Sequence, residues 1–290
     1  MKQHNEKIVR WSAQENGGDY IAINTFLEYL GQNLYYDYEP SIGPFPDYYS
    51  RLIKWLENVE DEKDQQNLLR IANLIFYVGR EEFNSLYRTA YQTNFIRWII
   101  EMEGLSLNDP QIIKKIEAAK EAAWFCPVTD SLRINQFYHL NQIQAVHEFR
   151  PDWRSLREFG DPEKIKKYIK ENNIKYIILL EDFVGSGTQS WKSIKFACEL
   201  DPQIKILLLP LIICPQGIKK ITDEVGNMEN FNLSPVLVLS ESAFIAKENT
   251  DGEDALITVF REIINQAEPK YVQKGIENHA APMHPGQESE

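Results

Sequence analysis

The stretch that most constrains the fold is residues 174 to 190, Ile-Lys-Tyr-Ile-Ile-Leu-Leu-Glu-Asp-Phe-Val-Gly-Ser-Gly-Thr-Gln-Ser. Tyr176 to Leu180 are apolar without alternation, the pattern of a strand covered on both faces in a parallel sheet. The run stops at two adjacent carboxylates, Glu181 and Asp182, and a glycine-bearing loop leads into an amphipathic helix beginning near Gln189. Gly185 and Gly187 permit positive φ, so the N–H groups of Ser186, Gly187, Thr188 and Gln189 can converge on one concavity. Donors at a helix N-terminus suit a phosphate. The acids repel a phosphate placed beside them, but accept hydrogen bonds from sugar hydroxyls, directly or through Mg2+. A sugar phosphate therefore fits better than a nucleoside triphosphate, since Gly-x-x-x-x-Gly-Lys-Ser/Thr does not occur. Gly-x-Gly-x-x-Gly is excluded as well, because its third glycine is missing here. The competing reading is an ordinary strand-to-helix turn with an acidic strand end.

These residues resemble the phosphoribosyl-pyrophosphate signature of type I phosphoribosyltransferases: an apolar run, two acids, three variable residues and Thr-Gly-x-Thr. Glu181-Asp182 match the acids, Phe183-Val184-Gly185 the variable residues and Ser186-Gly187 the Thr-Gly, while Gln189 stands where the last Thr usually lies. The resemblance implies that Glu181 and Asp182 hold the ribose hydroxyls, with Mg2+ nearby, and that Gly185, Ser186, Gly187, Thr188, Gln189 and Ser190 cradle the 5′-phosphate. It implies displacement of pyrophosphate from C1 through an oxocarbenium-like centre. Two departures stand out. Gly185 replaces the acid that purine-specific members often carry, and Gln189 leaves Thr188 or Ser190 to supply the hydroxyl. The second loop that the family uses for pyrophosphate has its positional candidate at Thr129, Asp130, Ser131 and Arg133, without the usual Arg-Gly or Lys-rich segment. Asp130 and Ser131 serve equally well as caps of the next helix.

The resemblance extends to the divergent phosphoribosyltransferase-like proteins of bacterial conflict systems, retron-type anti-phage operons among them. That implies an effector or toxin restrained by a protein or ribonucleoprotein partner. The alternatives are a catalytically inactive module that senses a sugar phosphate or nucleotide, and a scaffold that docks a partner.

Composition narrows the rest. Lys plus Arg number 31 against 43 Asp plus Glu, a net charge of −12, so the chain is not drawn non-specifically to nucleic acid or anionic membrane. Hydrophobic residues make up 43%, enough for a sizeable core. Cys126, Cys198 and Cys214 lie far apart in apolar contexts, as buried thiols do. No apolar signal core opens the chain and no apolar stretch approaches spanning length, so a cytoplasmic protein is expected. Self-association is left open.

The expected architecture is α/β: a phosphoribosyltransferase-like parallel sheet flanked by helices, preceded by a small all-helical domain. The expected domains are 1–107, helical; 108–267, α/β; and 268–290, a loosely ordered tail. In the first, one helix is expected around Ile21 to Leu30. Three further apolar faces follow: Leu52, Ile53, Trp55 and Leu56; Leu68, Ala72, Ile75 and Phe76; and Phe83, Leu86, Tyr87 and Tyr91, continuing to Ile100. Asp109-Pro110 predicts a helix start with Asp109 as cap. Trp124 to Val128 is a first strand, and Leu132 to Phe149 a helix. Asp161-Pro162 opens another helix, and Ile204–Ile213 and Val236–Leu239 are further strands. Ile218–Val225 and Glu253–Asn265 are helices. Lys219 and Lys220 are candidates to approach substrate. His139 and His147 suit structural roles, and Arg150, Arg154 and Arg157 a solvated face or an anion contact.

Overall fold

The computed structural model describes residues 2–14, 19–36, 47–143, 162–243 and 253–266. The chain divides into two compact units, Met1–Gly79 with Phe244–Glu290, and Arg80–Ala243.

The first unit is helical: α1 Lys2–Ser12, α2 Tyr20–Asn33, α3 Tyr48–Leu56, α4 Glu62–Ala72, and a last helix over residues 255–266. Asp47 and Asp61 cap α3 and α4 by accepting backbone N–H bonds in their first turns. The core gathers Ile8, Trp11, Tyr20, Leu27, Leu52, Leu69 and Ile263. The last helix therefore completes this core. Ile75 and Phe76, expected on the apolar face of α4, lie beyond its end at Ala72 and are half exposed.

The second unit holds the parallel sheet. It contains α5 Arg80–Thr89, a π-helical turn Ala90–Phe95, α6 Ile96–Met102, α7 Ile112–Glu121, β1 Ala123–Pro127, α8 Ile134–Leu140, α9 Pro162–Glu171, β2 Tyr176–Val184, α10 Trp191–Leu200, β3 Lys205–Ile213, α11 Pro215–Val225, β4 Phe231–Leu233 and β5 Leu237–Val238. The strands lie in the order β1-β2-β3-β4, with β5 also on β3, all parallel. β4 and β5 keep one register against β3 on either side of Pro210 and Pro235. Neither proline can donate to the ladder, so the two read as one interrupted strand.

Alternation along β1 explains the layers. Trp124 and Cys126 join Ile165, Ile169, Ile194, Ala197 and Ile221 from α9, α10 and α11. Phe125 faces the opposite way, its ring centroid 5.0 Å from Phe95, 5.5 Å from Phe137 and 5.9 Å from Tyr91. Trp98 of α6 packs edge-on against Tyr176 of β2 and donates to Asn232 at 3.1 Å. Asn94, carried on the π-helical turn, donates to Ser234 and Pro235 between β4 and β5. Helices α5 and α6 are thus one cover of the sheet, and the units part at Gly79 rather than at the expected residue 107. An amphipathic pattern reveals that a face is buried, not what buries it.

The α7 helix begins at Ile112, later than Asp109-Pro110 predicts. Asp109 instead accepts from the Gln111 N–H at 2.8 Å and pairs with Lys115, holding a turn ahead of the helix. The α8 helix is shorter than expected, ending at Leu140 ahead of Gln142, whose φ is +52°. The expected tail, His147 and the arginines at 150, 154 and 157 lie outside the described residues.

Candidate functional site

Register brings the candidate residues to one edge. Pro127 pairs with Leu180, so the chain leaving β1 comes alongside Glu181 and Asp182, and the Val128 N–H donates to the Leu180 carbonyl at 2.8 Å. β2 runs through both acids to Val184, pairing Phe183 with Ile212 and Val184 with Ile213. The expected strand end at the acids is therefore four residues short. Pairing to β3 carries the strand on, and the acids stand on its last turns of pleat, facing the β1 loop.

The loop from 128 to 133 is bonded to the acid pair. Glu181 is 4% exposed. Its Oε2 accepts the Thr129 N–H at 3.0 Å and its Oε1 the Thr129 hydroxyl at 2.7 Å. Asp182 is partly exposed, and its Oδ1 accepts the Ser131 hydroxyl at 2.8 Å and the Phe183 N–H at 2.8 Å. No hydrogen bond among the described residues reaches Asp182 Oδ2. Burial of a carboxylate is tolerable only with such donors. Asp130 and Arg133 are exposed, and Arg133 directly precedes α8. Thus Thr129 and Ser131 bond to the acids, and Asp130 and Arg133 are exposed members of the loop.

Beyond β2, Gly187 has φ +75°, but Gly185 does not share the positive φ expected of both. Ser186 donates its hydroxyl to Thr188 at 3.0 Å, and the Thr188 N–H returns to Ser186 Oγ at 3.4 Å. Helix α10 starts at Trp191, with buried Ser190 at its N-cap and no side-chain cap bond. No hydrogen bond among the described residues engages the N–H groups of Gly187, Gln189 and Ser190. Unengaged donors at the start of a helix are of the kind that suits an anion. Gly217, in the first turn of α11, packs against this loop so closely that a Cβ there would stand 2.6 Å from the Gly185 carbonyl oxygen.

A family model described as PRTase-CE matches residues 52–280, which covers the whole sheet and both loops. The chain belongs to the PRTase-CE family. It is a phosphoribosyltransferase-like protein with a parallel sheet flanked by helices. No curated protein and no solved structure matches it.

Two residues of this PRTase-CE chain escape a reading of its sequence. Tyr87 of α5 is 4% exposed; burial pushes its phenol up to about 12, against a hydrogen bond from the Arg133 backbone, with the Asp182 charge adding to the rise. It supports the 128–133 loop from beneath, although its spacing with Phe83 and Tyr91 signals only a core face. Phe183 is 46% exposed at the sheet edge, directly after the acids. An apolar residue left in solvent there is the one signal that the apolar pattern could have given. Lys219 and Lys220 form ion pairs with Asp223 and Glu224. The Lys220 ammonium also stands over the Trp191 ring, 5.3 Å from its centroid.

The donor set suits Mg2+ in one manner. Among the described residues no three of His, Cys, Asp or Glu group to hold a metal. Mg2+ commonly binds through one or two carboxylates, with substrate phosphates and water completing its shell. Asp182 Oδ2 fits that mode; both Glu181 oxygens already accept from Thr129. Among the described residues no helix is long and apolar enough to cross a membrane.

Proposed function

We propose that the protein binds phosphoribosyl pyrophosphate with Mg2+ at the carboxyl ends of β1 and β2. The observation that carries this reading is the meeting of a carboxylate pair and an unengaged helix N-terminus at one strand end. In this reading the N–H groups of Gly187, Gln189 and Ser190 hold the 5′-phosphate, and Glu181 and Asp182 accept the ribose hydroxyls. Arg133, with Thr129, Asp130 and Ser131, borders the pyrophosphate side. Mg2+ near Asp182 would supply charge neutralisation of the leaving pyrophosphate. The chain itself contributes positioning and preorganised dipoles, and the exposed Phe183 ring offers a flat apolar surface to an acceptor.

The biological setting we propose, on the resemblance to conflict-system proteins, is a bacterial anti-phage operon. There the protein would act as effector, held in check by a protein or ribonucleoprotein partner. A sensing role without turnover is favoured by one observation: the carboxylates are already bonded to Thr129 and Ser131 rather than left open.

Calorimetric titration of phosphoribosyl pyrophosphate with Mg2+ into the wild type and Asp182→Asn tests the reading. Binding that the substitution abolishes supports it, and equal heats in both proteins refute it. Pyrophosphate release measured in parallel separates an enzyme from a sensor.

A further inference from the structure

We propose that Thr129 and Ser131 form an internal substitute for a ribose diol, occupying the acid pair until a sugar phosphate displaces them. This rests on the sugar-phosphate reading above and concerns how that site is controlled. A ribose cis-diol presents two hydroxyls on adjacent carbons, close enough to contact each other, and each can donate to one carboxylate. The protein reproduces that arrangement from its own chain. The Thr129 hydroxyl lies 2.7 Å from Glu181 Oε1, the Ser131 hydroxyl 2.8 Å from Asp182 Oδ1, and the two hydroxyl oxygens 2.7 Å apart. All three contacts are at hydrogen-bond distance.

Proton counting shows why the arrangement yields. With both acids ionised, two hydroxyl protons must serve three short contacts, so one contact always lacks a proton. The internal pair is therefore satisfied no better than a ligand diol would be, and exchange of one for the other conserves hydrogen bonds. Exchange also needs little movement. Val128 and Leu132 are buried on either side, whereas Ser131 is exposed and Thr129 partly so. Rotation about χ1 of these two side chains clears the acids while the backbone stays. The Thr129 N–H bond to Glu181 Oε2 does not depend on that rotation, so Glu181 keeps its orientation as the hydroxyl leaves. The consequence is a site whose affinity is set down by an intramolecular competitor, tunable by anything that pulls the 128–133 loop outward.

Ser131→Ala removes the exposed half of the substitute without unsatisfying buried Glu181. Ribose 5-phosphate titrated by calorimetry into wild type, Ser131→Ala and Ser131→Thr is the test. We expect Ser131→Ala to bind about two- to tenfold tighter, the equivalent of one net hydrogen bond released, with Ser131→Thr returning to the wild-type value. Equal affinity in all three overturns the substitute and leaves the sugar-phosphate reading standing. Weaker binding by Ser131→Ala also overturns it, making Ser131 a ligand contact. Absence of binding in every protein overturns both.

Discussion

Gly187→Ala isolates the backbone conformation on which the proposed phosphate cradle depends. At φ +75° an L-residue pays roughly 1–2 kcal/mol for the left-handed conformation alone. The added Cβ would also lie 3.2 Å from the Gly217 carbonyl oxygen and 3.3 Å from its Cα. Both are backbone atoms on the first turn of α11, so the helix must give way rather than a side chain. Together these place the loss at about 2–3 kcal/mol. Gly185→Ala is the internal control, since its Cβ would meet only Phe183 Cε1 at 3.5 Å, an ordinary contact. Its change should stay within about 0.5 kcal/mol. Urea unfolding followed by tryptophan fluorescence reads both, with midpoints compared at a common slope. Equal losses in the two variants, or a larger one at Gly185, would refute the argument that Gly187 alone carries the turn.

Other expectations concern different parts of the molecule. Thr129→Val strips the hydroxyl from buried Glu181 and should cost about 1–3 kcal/mol in the same urea assay; an unchanged midpoint would show that the carboxylate finds another donor. Phe95→Ala should cost roughly 3–5 kcal/mol, because its ring lies against Phe125 of β1; a loss near zero would mean that α5 and α6 do not cover the sheet. Burial, outweighing the Asn24 hydrogen bond, holds His4 below its ordinary value of 6.5. The unfolded chain therefore takes up a proton that the folded chain does not, so stability falls as pH drops below about 6.5 and levels off once the folded imidazole titrates. Urea midpoints across that range should show the slope in the wild type and a shallower one in His4→Gln; identical slopes would show that His4 does not contribute to the pH dependence.

Much of the sheet is legible in the sequence because buried parallel strands leave unbroken apolar runs, as in Tyr176–Leu180 and Ile204–Ile213. What such runs do not show is where pairing ends. Glu181 and Asp182 look like a strand terminus, yet Ile212 and Ile213 on β3 extend the ladder to Val184. β4 escapes for the reverse reason: Phe231–Leu233 is three residues long with Asn232 at its centre, too short and too polar to register. The acid pair and the loop stand out in the sequence, since two carboxylates and closely spaced glycines are seldom adjacent without a reason. The bonds from Thr129 and Ser131 to those acids were not. They depend on the register of β1 against β2, which places residues some fifty positions apart side by side. Tyr87 was hidden further still, because a tyrosine on an amphipathic helix carries no mark of what its hydroxyl meets.

In the proposed complex a sugar phosphate places its phosphate on the α10 N-terminus and its hydroxyls on the acid pair. Backbone amide resonances followed by NMR during titration with ribose 5-phosphate test it residue by residue. The largest shifts are expected at Gly187, Gln189 and Ser190, with a second set at Thr129 and Phe183, whose N–H groups donate to the two acids. Saturable shifts confined to other surfaces, or none at these five amides, would contradict it.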